Sequence, residues 1–122
     1  MRNGGASRAE AEQFGRRAEA WCRFALRLKG YRILAVRERT PVGEIDMVVR
    51  RGGVVAVVEV KARRHGVGLD DPVSARQWGR LERAAAVFLA RHGDLAGLAV
   101  RFDVMLVRPW RWPEHIPDAW RP

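Results

Sequence analysis

The sequence predicts an α/β domain: a helix, a three-strand meander, a second helix and a last strand, giving a mixed four-stranded sheet flanked by helices. Three observations predict it. Two apolar, β-branched runs within Gly43–Lys61 (GEIDMVVRRGGVVAVVEVK) flank Gly52-Gly53, the mark of a tight hairpin. Stretches of helical period lie before the meander and after it. The strand-like segment Ala99–Val107 (AVRFDVMLV) follows the second helix, so that helix is a crossover and the last strand runs parallel to the preceding one. At 122 residues the chain suffices for one hydrophobic core, and 48% apolar with 30% charged residues is the balance of a soluble globular protein.

In order, Met1–Ala6 reads as a disordered lead, and Ser7-Arg8-Ala9-Glu10 has the form of a capping box that opens the first helix. Phe14, Ala18, Trp21, Ala25 and Leu28 form its apolar stripe, and Gly30 ends it as a C′ residue. Glu19 lies on the margin of the stripe with Gly15, Cys22 and Leu26, where a carboxylate can point into a cleft. Tyr31–Arg37 alternates as a strand and 39–43 is a turn into the hairpin. A basic loop, Ala62–Asp71, leads to a helix with Asp71 as N-cap and Pro72 at N1. Its inward line is Val73, Gln77, Leu81, Ala84 and Phe88, and His92-Gly93 ends it. The domain is expected over 1–107. Beyond it, 108–122 carries four Pro, three Trp and three Arg without a period. That tail is expected to cover a sheet edge or an apolar patch, with stacking of its tryptophans on unpaired bases as the other reading.

The formal charge is +9, from 21 Arg and 2 Lys against 14 acidic residues, which favours a polyanionic partner, nucleic acid before acidic lipid. Cys22 is the only cysteine, which excludes an internal disulfide and a cysteine-built zinc site and fits a cytoplasmic protein. An arginine- and glutamate-rich start does not resemble a secretory signal, and apolar runs such as Val54–Val58 are too short for a membrane span. His65 and His92 lack partners at metal-ligand spacing, and Arg101 with Asp103 reads as a structural ion pair.

The chemistry concentrates on the hairpin. With the turn centred on the glycine pair, Asp46 faces Glu59 and Glu44 faces Lys61, with Cβ atoms roughly 4.5–5.5 Å apart. Opposed carboxylates repel, and a hard divalent cation removes the cost. Mg²⁺ is held typically by one or two carboxylates and substrate phosphate; Asp46 and Glu59 supply the pair and the Val60 carbonyl a further oxygen. Lys61 stands out in a chain that otherwise writes arginine, because an amine can release a proton and a guanidinium cannot. Cross-strand surface ion pairs, worth ~0–1 kcal/mol, are the plainer reading, but they require four polar residues to coincide on one face.

Asp46 with Glu59-Val60-Lys61 is similar to the PD-(D/E)xK nuclease signature. With Gly15 and Glu19, Gly30–Leu34, Gly43-Glu44-Ile45-Asp46, Arg63 and Arg101–Val104, residues 13 to 107 resemble the YraN-like family of small bacterial proteins, related to archaeal Holliday-junction resolvases. The resemblance implies a restriction-endonuclease-like αβββαβ fold and a nuclease acting on structured, branched DNA rather than RNA. It implies a site of Glu19, Asp46, Glu59 and Lys61, with Mg²⁺ or Mn²⁺ on Asp46, Glu59 and Glu19. Glu44, Arg63, Arg64 and Gln77 would meet substrate, and the resolvase relationship suggests a homodimer. Ala18, Arg37 and Gln77 depart from the family pattern, standing where glycine, asparagine and lysine are usual. The alternatives are a nucleic-acid-binding module with this fold and little or no catalysis, or an adaptor in a recombination or repair complex.

Overall fold

The computed structural model describes residues 4–63 and 73–122. The elements are α1 (Gly4–Leu28), β1 (Arg32–Thr40), β2 (Gly43–Arg51), β3 (Val54–Ala62), α2 (Ala75–Ala90), a 3-10 turn (Gly93–Leu95), β4 (Ala99–Val107) and β5 (Glu114–Trp120). They form one mixed sheet in the order β1-β2-β3-β4-β5. Neighbours are antiparallel except β3 and β4, which run parallel as a crossover through α2 requires. Ala99–Val107 has the bounds the sequence predicted. The sheet has five strands and not four, because the tail returns along β4 as β5.

Composition hid β5. Pro117 sits within it, which only an edge strand tolerates. Asp118 has φ +56, and the β4–β5 register shifts between Phe102 and Val104, so the strand bulges and shows no clean alternation.

The helices cover opposite faces. α1 contributes Ala18, Cys22, Ala25 and Leu26 to a core with Met47, Val49, Ala56, Val58 and Met105. α2 contributes Trp78, Leu81, Ala84, Ala85 and Phe88 to a core with Ile45, Val48, Val55, Val57 and Phe102. The face that α1 buries is rotated from the expected stripe. Trp21 and Leu28 are 51% and 65% exposed, while Cys22 and Leu26, expected at the margin, are fully buried. Small side chains at 18, 22 and 25 permit α1 to lie on the sheet, and Trp21 packs sideways on Phe24 and Trp112. α1 begins at Gly4 rather than Ser7, so Gly4–Ala6 are helical and not a lead; elongating a formed helix adds one hydrogen bond per residue. It ends as predicted at Gly30, φ +91, where Gly30 N–H donates to Arg27 O and Tyr31 N–H to Leu26 O in a Schellman motif.

β1 starts at Arg32 and continues past Arg37 to Thr40, shortening the turn to Pro41-Val42. Asp71 and Pro72 lie outside the described residues. The described helix opens at Ala75, where the Ser74 hydroxyl accepts the Gln77 N–H at 3.2 Å and takes the capping role assigned to Asp71.

Candidate active site

The β2–β3 ladder runs from Arg51↔Val54 to Met47↔Val58, the register of a turn centred on the glycine pair. There the backbone pairing stops. The Val60 N–H is taken at 2.8 Å by Oδ2 of Asp46, a side-chain oxygen in place of a strand carbonyl. The pleat breaks at the same place: Ile45 packs in the α2-side core and Met47 in the α1-side core, although they are two residues apart. Arg37, between the β1 partners of Ile45 and Met47, has φ +52. Asp46 therefore sits at a local fault in the sheet between the two helical layers.

Glu59 is the next member, 8% exposed. Its Oε2 accepts a hydrogen bond from Gln77 Nε2 at 2.9 Å and lies 3.3 Å from Lys61 Nζ. Gln77 occupies a core-line position in the sequence pattern but spends its amide on this carboxylate. Burial pushes the Asp46 carboxyl up to about 7, and the adjoining Glu59 carboxylate adds to the rise by its charge and a shared hydrogen bond. Two carboxylates and one amine thus meet in a largely buried place, with one acid held partly protonated near neutrality.

Glu19 reaches this neighbourhood from α1. Its charge contributes to the Asp46 shift, but its Oε1 accepts from Arg37 Nε at 2.7 Å. Among the described residues no three His, Cys, Asp or Glu side chains are grouped as a metal site; Asp46 and Glu59 adjoin, and Glu19 stands nearby in the grip of Arg37. Arg37 is the partner that sequence reasoning missed; no spacing connects a helix residue with a strand residue 18 positions away.

Glu44 does not meet Lys61. The ladder to β3 has ended by that point while the ladder to β1 continues, so Glu44 pairs with Arg39, Nε to Oε2 3.7 Å, on an exposed edge. The Arg63 N–H donates to Val107 O at 2.9 Å and its Nη1 to Ala62 O at 3.2 Å, which anchors it at the end of β3. Arg64 lies outside the described residues. Cys22, buried beneath Glu19, has a thiol pushed up to about 12, by burial first and then by the charges of Glu19 and Asp46, so it is no nucleophile.

A separate buried carboxylate, Asp103, serves the fold. Arg101 Nε and Nη2 each donate to it at 2.8 Å, His115 Nε2 meets it at 2.8 Å, and the Asp118 N–H donates at 3.0 Å. Lys29 Nζ lies 2.9 Å from His115 Nδ1. An ammonium can only donate, so Nδ1 accepts and Nε2–H is the donor to Asp103. Burial alone would raise the Asp103 pKa, but these hydrogen bonds outweigh it and hold the carboxyl at about 2. The expected Arg101–Asp103 ion pair is thus present, and with His115 and Asp118 it fastens β5 to β4.

No helix among the described residues is long and apolar enough to cross a membrane. A family model described as uncharacterised protein family UPF0102 matches residues 18–107. The chain is similar to a UPF0102 protein of Parvibaculum lavamentivorans, 55% identical over 112 residues that cover 92% of this chain and 84% of the relative. A UPF0102 protein of Mesorhizobium japonicum is 47% identical over 93% of this chain and 91% of its own length. One of Paramagnetospirillum magneticum is 50% identical over 91% and 89%. The matched span contains Glu19, Asp46, Glu59, Lys61 and Gln77, and on these matches the chain belongs to the UPF0102, or YraN-like, family.

Proposed function

We propose that the chain is a divalent-metal-dependent nuclease of the PD-(D/E)xK superfamily, with a restriction-endonuclease-like core to which β5 adds an edge strand. Its substrate would be structured DNA, branched DNA foremost. One observation carries the reading: Asp46, half-buried, lies beside the buried Glu59 where the ladder opens, and Lys61 and Gln77 converge on the same Glu59 oxygen. A carboxylate pair in this position costs stability by itself, and a bound cation reverses the sign of that cost.

Asp46 and Glu59 would hold Mg²⁺ or Mn²⁺, which when bound neutralises phosphate charge and makes its water acidic. Gln77 fixes the orientation of Glu59, and the Val60 N–H fixes that of Asp46. Lys61 Nζ, beside the pair, would as an ammonium donate to a non-bridging phosphate oxygen or, once it has released its proton to solvent, accept one from the attacking water. Glu19 adds negative charge from the α1 side, tempered by Arg37. Arg63 and Arg64, on the strand end and the segment after it, would meet the phosphate backbone, with Glu44 at the margin. Incubating purified protein with branched, nicked and single-stranded DNA in Mg²⁺ or Mn²⁺ tests this. Metal-dependent cleavage lost in Glu59→Ala is expected, and equal behaviour of the two proteins refutes it.

The Arg37–Glu19 ion pair favours a second reading, because it occupies the third carboxylate. On that reading the chain is a nucleic-acid-binding module with this fold and little catalysis, whose binding weakens steeply with salt while no strand is cut.

A further inference from the structure

Between the N-terminal half of α1 and the β4–β5 connection lies a groove of about 650 Å³ that the acid–lysine site does not use. Trp21, Trp110 and Trp112 line it. Trp21 and Trp112 meet edge to face at 6.1 Å, and Phe24 joins them with its ring centroid 6.0 Å from that of Trp112. Trp110 touches almost nothing: its side chain is fully exposed. Three arginines, Arg17, Arg108 and Arg111, share the lining with one acid, Glu10, and Arg108 is held by Glu114 at 3.6 Å.

The turn that carries Trp110 is strained. Arg111 N–H reaches back to Arg108 O at 3.4 Å, Pro109 occupies the second position and Trp110 the third, with φ +63. This is the form of a type II turn, whose third position calls for glycine or asparagine. A bulky residue there is an outlier, and strain retained in an exposed side chain without contacts gives the fold nothing. An indole held in water, flanked by guanidinium groups and backed by an edge-to-face aromatic pair, has the composition of a base-stacking platform.

We infer that this groove binds an unpaired nucleic-acid strand, with bases stacked on Trp110 and the Trp21–Trp112 pair and phosphates met by Arg17 and Arg111. A second copy of the chain fits the groove less well, because a two-fold contact would set the same cationic lining against itself. The groove is continuous with the end of β3. Ala62 pairs with Val107, and Val107 accepts the Arg63 N–H, three residues beyond Glu59 and roughly 10 Å along the strand. Delivery of a single-stranded flank to the acid–lysine site rests on the nuclease reading; binding in the groove does not.

The test is fluorescence anisotropy of a short labelled oligothymidylate in EDTA, against a duplex of equal length. The single strand is expected to bind more tightly and to quench tryptophan emission, and Trp110→Ala to weaken binding roughly tenfold or more. Trp110→Gly is expected to lose the same affinity while unfolding no earlier than wild type, since glycine relieves the φ +63 turn. The inference falls if no strand binds, or if Trp110→Ala and Trp110→Gly bind like wild type. It also falls if sedimentation shows a dimer that Trp110→Ala disperses while the oligonucleotide is ignored. Cleavage that survives those results would leave the nuclease reading intact, and stacking without cleavage would overturn that reading alone.

Discussion

Replacing Asp46 with Asn should stabilise the metal-free protein at pH 8 and remove its response to divalent cations. The amide keeps an oxygen to accept the Val60 N–H, now at 2.8 Å, and deletes the charge that opposes Glu59. Burial and the Glu59 charge push the Asp46 carboxyl up to about 7 in the folded protein, from the ordinary 3.8 of an unfolded chain. A raised acid means that the folded state holds the proton more tightly. Wild-type stability from this group is therefore fully present below about pH 4 and declines as pH rises to about 7. Each pH interval of one costs about 1.4 kcal/mol, so the full penalty is about 4 kcal/mol at pH 8. Urea denaturation of wild type and Asp46→Asn in EDTA should show no charge-dependent gap at pH 4 and a gain of a few kcal/mol for the variant at pH 8. Adding Mn²⁺ should raise the midpoint of wild type at pH 8 and leave the variant unmoved. A difference that stays flat between pH 4 and 8, or equal stabilisation of both proteins by the metal, would refute the argument that the pair is a frustrated carboxylate site.

Three further outcomes follow from the same geometry. Asp103→Ala strands Arg101 beside a buried void and frees the bulge amide of Asp118, so it should cost about 3 kcal/mol in urea denaturation. The Asp103 pKa is depressed to about 2, so its contribution in wild type is present above about pH 4 and is lost as pH falls through 2, which acid titration followed by circular dichroism would track. Deleting residues 108–122 removes β5 and bares the β4 edge, so the truncated chain should aggregate or fail to fold, measured by size-exclusion chromatography, whereas a dispensable adaptor tail would leave a monodisperse domain. Arg37→Asn places a residue that tolerates φ +52 at the sheet fault and gives up an ion pair whose arginine is 47% exposed, so melting should move little while Glu19 is released toward the Asp46–Glu59 pair.

Most of the fold was legible because local signals agreed with the packing. Gly52-Gly53 set the hairpin register, Gly30 stopped α1, and the apolar-rich segment 99–107, interrupted at Arg101 and Asp103, marked a strand that is buried from Phe102 onward. The errors arose where a distant contact outweighed a local pattern. Trp21 matched the apolar period of α1 but gains more from Phe24 and Trp112 than from the sheet, and the small residues beside it occupy the core. β5 carries proline and a bulge, so no period announced it; what holds it is Asp103 on the neighbouring strand.

The candidate site divides along the same line. Asp46, Glu59 and Lys61 could be brought together from the sequence because a hairpin register is local information, and Gln77 because an amide in a helical core line asks for a polar partner. Glu44 was placed wrongly by extending that register one step too far. An antiparallel ladder continues only while backbone groups remain to pair, and Asp46 ends it by giving its own carboxylate to the Val60 N–H. The residue predicted to be part of the patch is thus the one that terminates the regular structure around it. A strand that continued past Asp46 would close the space between the carboxylates with backbone hydrogen bonds. By ending there, the β2–β3 ladder leaves Asp46 and Glu59 side by side between the two helical layers, where the proposed shared cation would sit.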